Sequence, residues 1–289
     1  MAPAANDLSS FVVGLIGAGI GASRTPPMHE REAAAQGLRY VYKTIDLDRL
    51  GLGPAALPEL LTAAERMGFA GLNITYPCKQ AVIPLLHDLS EDARALNAVN
   101  TVVLRDGCRI GHNTDWSGFA LGFRRDLPDA PLGRVVQLGA GGAGAAVAHA
   151  LLTLGVERLT VFDVDAARAA AVATALCARF GAERAASGTD LAAAMAQTDG
   201  LVNTTPVGMA KLPGLPLPAE LLRPGLWVAD IVYFPLETAL LRAAGAAGCR
   251  TLGGRGMAVF QAAEAFRLFT GIPADAERMM RHFLAMGAD

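Results

Sequence analysis

Gly139-Ala140-Gly141-Gly142-Ala143-Gly144 follows the apolar run Val135-Val136-Gln137-Leu138 and opens a helix expected over 145–154, and Asp163 closes the next apolar run. Glycines so spaced let a backbone turn sharply and approach a pyrophosphate, while the helix that follows offers N–H donors and the positive end of its dipole. A carboxylate at the end of the second strand accepts hydrogen bonds from a ribose diol and repels a 2′-phosphate, which favours NAD over NADP. Arg168, one turn into the helix that follows Asp165, works against that preference if it reaches the ribose; its other role is that of an exposed helix charge.

A second glycine run, Gly17-Ala18-Gly19-Ile20-Gly21, also follows an apolar run, and Asp46 also closes a later one. It is the weaker dinucleotide candidate, because Pro26-Pro27 postpones the helix. A helix beginning at Pro26 leaves Ser23 and Thr25 on the loop before it, where their hydroxyls either cap the helix or bind an anion at its N-terminus.

Loops of this kind need strands and helices in alternation to hold them. Short β-branched runs at 11–16, 40–45, 71–75 and 98–104, with helical patterns between them, predict a mostly parallel sheet covered by helices. Arg105-Asp106-Gly107 between two apolar runs reads as a hairpin turn, so one antiparallel pair is expected at the edge of that sheet. After a helix at 118–125 and a break at 128–131, a second alternating series runs through 135–138, 159–162, 200–202 and 226–230 and ends near Gly253. Two helices, 257–270 and 274–286, follow. The expected fold class is α/β in two domains with a break near residue 116, which suits a 289-residue chain.

The sequence is 52% hydrophobic and 18% charged with a formal net charge of -2, and its basic residues are scattered, so nucleic acid is not an expected partner. The apolar stretch 11–20 is short and broken by glycines and lacks a basic flank, so neither a signal peptide nor a membrane span is expected, and the cytoplasm is the expected location. Cys78, Cys108, Cys177 and Cys249 show no metal-ligand spacing and are expected to be reduced, mostly buried thiols, with no metal bound.

Five segments together resemble the shikimate/quinate dehydrogenase family: Ser23-Arg24-Thr25-Pro26, Gly71-Leu72-Asn73-Ile74-Thr75-Tyr76-Pro77-Cys78-Lys79, Asn97-Ala98-Val99-Asn100-Thr101, His112-Asn113-Thr114-Asp115, and Gly254-Arg255-Gly256-Met257 with Gln261. The resemblance spans essentially the whole chain. It implies a substrate domain formed by 1–116 and 257–289, a Rossmann domain formed by 117–256, and a cleft where the two sites meet. It makes Lys79 and Asp115 a catalytic pair, with Ser23, Thr25, Thr75, Asn100, Tyr233 and Gln261 holding the carboxylate and hydroxyls of a small cyclic polyol acid. Thr205 and Val207, in Asn203-Thr204-Thr205-Pro206-Val207-Gly208-Met209, would lie beside the nicotinamide, and Ile231 and Gly254 complete the cofactor set with Gly139, Gly141, Gly142, Ala143, Gly144, Asp163 and Arg168.

The implied reaction moves a hydride from a ring secondary alcohol to NAD while the hydroxyl proton leaves, which requires a positioned proton acceptor. Lys79 is the candidate; burial would favour the neutral base and a paired Asp115 the ammonium, so both protonation states stay open. Taken singly, Lys79 could be a solvated helix residue, Asp115 a helix N-cap, Thr205 and Val207 parts of an ordinary turn around Pro206, and Tyr233 a core aromatic.

Biosynthetic members of the family typically show Ser-x-Ser-Pro at the first motif and Asn-Arg-Thr after the second nucleotide-domain strand. Thr25 and Phe162-Asp163-Val164-Asp165 depart from both and resemble the NAD-linked quinate/shikimate branch. Shikimate, quinate and aminoshikimate are all candidate substrates, and the resemblance admits a monomer or a homodimer. A tetrahydrofolate dehydrogenase shares the tandem arrangement and a lysine but not Asp115 or the Ser-x-Thr-Pro loop. A non-catalytic NAD sensor would be expected to have lost Lys79 or Asp115, and both are present.

Overall fold

The computed structural model describes residues 10–286. Its elements divide into two compact units, one drawn from Met1–Thr114 and Ala262–Asp289, the other from Asp115–Gln261. In the first unit the order is β1 (Ser10–Gly17), α1 (Thr25–Ala35), β2 (Arg39–Asp46), α2 (Leu47–Leu50), α3 (Leu57–Arg66), β3 (Gly71–Ile74), α4 (Cys78–Ala81), β4 (Asp88–Leu89), α5 (Glu91–Leu96), β5 (Thr101–Arg105) and β6 (Cys108–His112). The sheet order is β2-β1-β3-β5-β6-β4, and β5 alone runs against the other strands.

Alternation along the strands gives this sheet two apolar faces. Ile16, Leu72, Ile74, Val102 and Leu104 pack with Leu57 and Leu61 of α3 on one side, and Val13, Leu15, Tyr42 and Val103 pack with Ala265 and Phe269 on the other. Asp106 and Gly107, at φ 53° and 74°, turn β5 into β6 as a tight hairpin requires. The pair does not quite form the edge: the two-residue β4, which has no sequence pattern to reveal it, adds in parallel outside β6.

The second unit contains α6 (Asp115–Asp126), β7 (Arg134–Leu138), α7 (Gly142–Leu154), β8 (Arg158–Phe162), α8 (Ala166–Phe180), β9 (Ala185–Ser187), α9 (Leu191–Ala196), β10 (Gly200–Asn203), β11 (Trp227–Asp230), α10 (Ala239–Ala246) and β12 (Arg250–Gly253). Its six strands are all parallel in the order β12-β11-β10-β7-β8-β9, the doubly wound arrangement whose order reverses between β7 and β10. α11 (Arg255–Thr270) then carries the chain across the division between units, and α12 (Ala276–Ala285) belongs to the first.

The divisions fall at Thr114/Asp115 and Gln261/Ala262, against breaks expected at 116/117 and 256/257. The second shift has a packing cause. Gly118 of α6 has no room for a side chain, since a Cβ there would lie 2.7 Å from the Gln261 backbone nitrogen and 2.8 Å from the Met257 carbonyl. Gly122, one turn on, faces Gly256, where a Cβ would lie 3.3 Å from the Gly256 backbone. The first two turns of α11 therefore pack with α6.

α12 is tied to α1 by a buried ion pair. Glu32 has no exposed surface; Arg278 donates to its two carboxylate oxygens at 2.7 and 2.8 Å, and the Asp275 backbone N–H adds a third bond at 2.8 Å. Burial alone would raise the Glu32 carboxyl, but Arg278, the Asp275 N–H and Gln36 outweigh it and hold the group below the usual carboxylate range. Arg278→Ala should cost about 3 kcal/mol in urea unfolding at neutral pH, since it strands a buried carboxylate. A depressed carboxylate stabilises the fold above its unfolded value, about 4.3, and that contribution fades as pH falls through the folded one. Urea midpoints of the two proteins should converge below about pH 4; a gap that stays constant with pH would rule this account out.

One other expectation fails. Of the four free cysteines only Cys78 is buried, and Cys108 is exposed where it begins the second strand of the hairpin. Among the described residues no helix is long and apolar enough to cross a membrane.

Candidate functional site

In a parallel sheet the loops that leave the carboxyl ends of the strands form the natural binding edge, above all where the strand order reverses. In the second unit that edge carries the glycine run. Gly139 follows β7 with φ 97°, a left-handed angle that a side chain would resist. Gly144 lies in the first turn of α7, where a Cβ would meet the Gly139 carbonyl at 2.5 Å, so it lets the helix approach its own loop. Gly141 and Gly142 have nothing within 4 Å of such a Cβ. No contact inside the chain excludes a side chain there, so the open cradle suits a group supplied from outside.

α7 begins at Gly142, three residues earlier than its sequence pattern suggests, with no side-chain cap and no acid in its first turn. The N–H groups of Gly142, Ala143 and Gly144 are thus the uncapped donors that a pyrophosphate would take. The loop is stapled from below. Gln137, wholly buried in β7, donates through Nε2 to the Gly139 and Gly144 carbonyls at 2.8 and 2.9 Å, and the Thr204 hydroxyl lies 2.8 and 2.9 Å from the Leu138 and Gly139 carbonyl oxygens.

Asp163 directly follows β8 beside this loop. Its Oδ2 accepts the Ala140 N–H at 2.7 Å and its Oδ1 the Asp165 N–H at 2.9 Å, which leaves lone pairs on both oxygens for a diol. The Arg168 guanidinium lies 3.4 Å from Asp165, with both side chains about half exposed. Thr205 and Val207 are half-buried after β10, and Ile231 is half-buried after β11. Gly254 is pressed against the Ile231 carbonyl, 2.2 Å from where its Cβ would be, so packing alone accounts for that glycine.

The first unit gathers its candidates at the corresponding edge. Ser23 and Thr25 follow β1, and Thr75 and Lys79 follow β3. Asn100 precedes β5, which runs the other way and so begins where β3 ends, Thr101 pairing with Asn73. Thr114 follows β6, whose His112 pairs with Thr101. Gly17 is needed for this closeness, since a Cβ there would sit 2.3 Å from the Thr75 methyl.

α1 starts at Thr25, one residue earlier than expected, again with no side-chain cap and no acid in its first turn; the Ser23 hydroxyl accepts the Thr25 N–H at 3.3 Å. Pro26 and Pro27 carry no N–H and the Met28 N–H is bonded to the Arg24 carbonyl, so the groups this turn can offer an anion are the Ser23 and Thr25 hydroxyls. Asn100 is 4% exposed; its Nδ2 donates to Thr114 Oγ1 at 2.9 Å and its Oδ1 accepts the Thr114 N–H at 2.8 Å. Asn73, itself bound by the Tyr42 hydroxyl, donates to the Asn100 carbonyl and to Thr101. Asp115 is buried at the start of α6, directly after Thr114. Tyr233 is 44% exposed, so it is not a core aromatic, and Gln261 is half-buried on α11 with Nε2 bonded to the Ala258 carbonyl.

The second glycine run is occupied from within. The Gly19 and Ile20 N–H groups donate to the two oxygens of Asp46 at 3.0 and 3.1 Å, so the acid that might have gripped a ribose fills the nest itself. Sequence reading passed over Gln137, Thr204, Asn203, Asp230, Asn73 and Tyr42 as individual residues. The available signal was a polar residue interrupting an otherwise apolar buried strand, as Gln137 does in β7 and Asn73 in β3.

Comparison with known proteins matches residues 15–102 to the model of the shikimate dehydrogenase substrate binding domain and residues 254–282 to that of the shikimate 5′-dehydrogenase C-terminal domain. A shikimate dehydrogenase (NADP(+)) of Streptomyces avermitilis is 62% identical over 273 residues, 94% of each chain. A quinate/shikimate dehydrogenase (NAD(+)) of Corynebacterium efficiens is 52% identical over 281 residues, 96% of this chain and 99% of that one. Among solved structures, quinate dehydrogenase from Corynebacterium glutamicum in complex with NAD superposes with a TM-score of 0.92 at 49% identity, covering 96% of this chain and 99% of that one.

Proposed function

Because the chain belongs to the shikimate/quinate dehydrogenase family, we propose that it is an oxidoreductase that interconverts shikimate with 3-dehydroshikimate and quinate with 3-dehydroquinate, using NAD. Asp163 carries the choice of NAD: a carboxylate fixed at the end of β8 by the Ala140 N–H receives a ribose diol and opposes a 2′-phosphate. The named relatives are divided between NADP(+) and NAD(+), so the family alone gives NAD(P) and this residue makes the finer choice.

When bound, the nicotinamide supplies the acceptor for the hydride. The chain does the rest. Gly139, Gly141, Gly142, Ala143 and Gly144 receive the pyrophosphate, and Thr205, Val207 and Ile231 line the nicotinamide end. Ser23 and Thr25 hold the ring carboxylate at the start of α1, and Thr75, Asn100, Tyr233 and Gln261 take the ring hydroxyls. Lys79 accepts the proton of the reacting hydroxyl during oxidation and returns it during reduction, with Asp115 as its carboxylate counterpart. Thr25 contributes a hydroxyl and an additional methyl where quinate and shikimate differ in shape, and so bears on the choice between them.

Initial rates of reduced-cofactor formation from quinate and from shikimate, each with NAD and with NADP, test this reading. NADH formation from either acid at a higher kcat/KM than NADPH formation is expected. Preference for NADP would overturn the cofactor assignment, and inertness toward both acids the substrate assignment.

A further inference from the structure

Two loops of the second unit leave neighbouring strand ends, 204–209 after β10 and 231–238 after β11, and one buried carboxylate holds both. Asp230 is 1% exposed. Its Oδ1 accepts Asn203 Nδ2 at 3.0 Å and the Val232 N–H at 3.1 Å, while its Oδ2 accepts the Thr238 hydroxyl at 2.7 Å. Asn203, with no exposed surface, passes the hold onward. Its Nδ2 also donates to the Val207 carbonyl at 3.0 Å, and its Oδ1 accepts the Thr205 N–H at 3.0 Å and the Thr205 hydroxyl at 2.7 Å.

The arrangement is specific to an acceptor-only group. An amide N–H, a side-chain amide and a hydroxyl all point at Asp230, and a carboxylate satisfies the three in one orientation without a donor of its own to place. None of these partners is a cation. Burial pushes the Asp230 carboxyl up, opposed by these same hydrogen bonds, so the acid is retained against its desolvation cost. A strand end needing only to be filled would be served by an apolar residue; an acid bonded to the 231–238 loop and, through Asn203, to the 204–209 loop fixes their relative position.

We propose that Asp230 is a positioning residue for the dinucleotide: it locks residues 205–207 and 231–233 into one wall at the nicotinamide end, so that hydride transfer depends on a side chain touching neither cofactor nor substrate. The inference rests on the assignment of this unit as the dinucleotide site. Asp230→Ala removes every bond at once. Asp230→Asn keeps the shape and the Oδ1 acceptor, and the Thr238 hydroxyl can turn to accept from the new amide.

The first measurement is amide hydrogen exchange on the ligand-free protein, followed by NADH titration by fluorescence and steady-state kinetics. In Asp230→Ala exchange should quicken in both 204–208 and 231–233 but not in α7 or α8. The Kd for NADH should rise about tenfold, as the loss of ordered hydrogen bonds implies, with kcat lowered and KM for the acid substrate nearly unchanged. Asp230→Asn should restore exchange and Kd to within about threefold of wild type. Should Asp230→Ala not fold, Asn203→Ala cuts the link to 205–207 alone and should quicken exchange only there while still weakening NADH. Faster exchange throughout the unit, or wild-type NADH binding with either disruptive variant unaffected, would overturn the inference alone. A wild-type protein that binds neither NADH nor NADPH would overturn the dinucleotide assignment and the inference with it.

Discussion

Lys79→Ala is expected to lower kcat for oxidation of the ring alcohol by about a hundredfold to ten-thousandfold, the range over which a positioned proton acceptor accelerates such steps. KM for quinate or shikimate should change little by comparison, because the proposed site assigns the substrate's carboxylate and remaining hydroxyls to other residues. The local structure makes this a clean substitution. α4 is a single turn anchored by the Cys78 N–H on the Thr75 carbonyl and by the buried Cys78 side chain, and the Lys79 carbonyl accepts the Val99 N–H at 2.9 Å. These backbone anchors do not depend on the side chain at 79, so α4 should keep its place with an alanine there. A kcat within a few fold of wild type would remove Lys79 from the chemistry. A KM raised in proportion to the loss in kcat/KM, with kcat intact, would make it a binding residue only.

Asp163→Ala should have the second largest effect, and the structure gives it two parts. The carboxylate proposed to receive the ribose also holds the Ala140 N–H, so its loss should remove both a ligand contact and a staple of the glycine loop. Hydrogen bonds to a charged group are each worth about 1.5–3 kcal/mol, so kcat/KM for NAD should fall by at least tenfold. NADP loses the staple but is relieved of repulsion, so the ratio of kcat/KM for NAD to that for NADP should fall further than loop damage alone would produce. Asp163→Asn separates the two parts, since it removes the charge while an amide oxygen can still accept from Ala140. It should improve NADP with a smaller loss for NAD. An unchanged ratio in both variants would show that discrimination resides elsewhere.

The central parallel strands β10 and β11 of the second unit were readable because they are buried on both faces and so nearly all apolar, as Leu201-Val202 and Trp227-Val228-Ala229 are. β4 and β9 were not, for the opposite reason. They are edge strands of two and three residues, Asp88-Leu89 and Ala185-Ala186-Ser187, too short for a period and too exposed for an apolar run. The first turn of α7 was hidden by its own glycines, which are poor helix formers placed there by close approach rather than by propensity. At the sites, chemical type was legible and partnership was not. Asn203 and Asp230 stand out as polar ends of apolar strands, but only strand order makes them neighbours. The same limit left two glycine runs looking alike from a distance, since the β1–β2 register that sets Gly17 opposite Asp46 is a property of pairing.

That register has a quantitative meaning. A ligand tethered to its own site acts as though present at an effective concentration on the order of mM or more, and a rigid tether of the right length does better than a flexible one. Asp46 is such a ligand for the Gly19 and Ile20 amides. It behaves as a built-in competitor for any free anion, so under the proposed function a chain carrying two glycine turns after two parallel strands is expected to bind one dinucleotide.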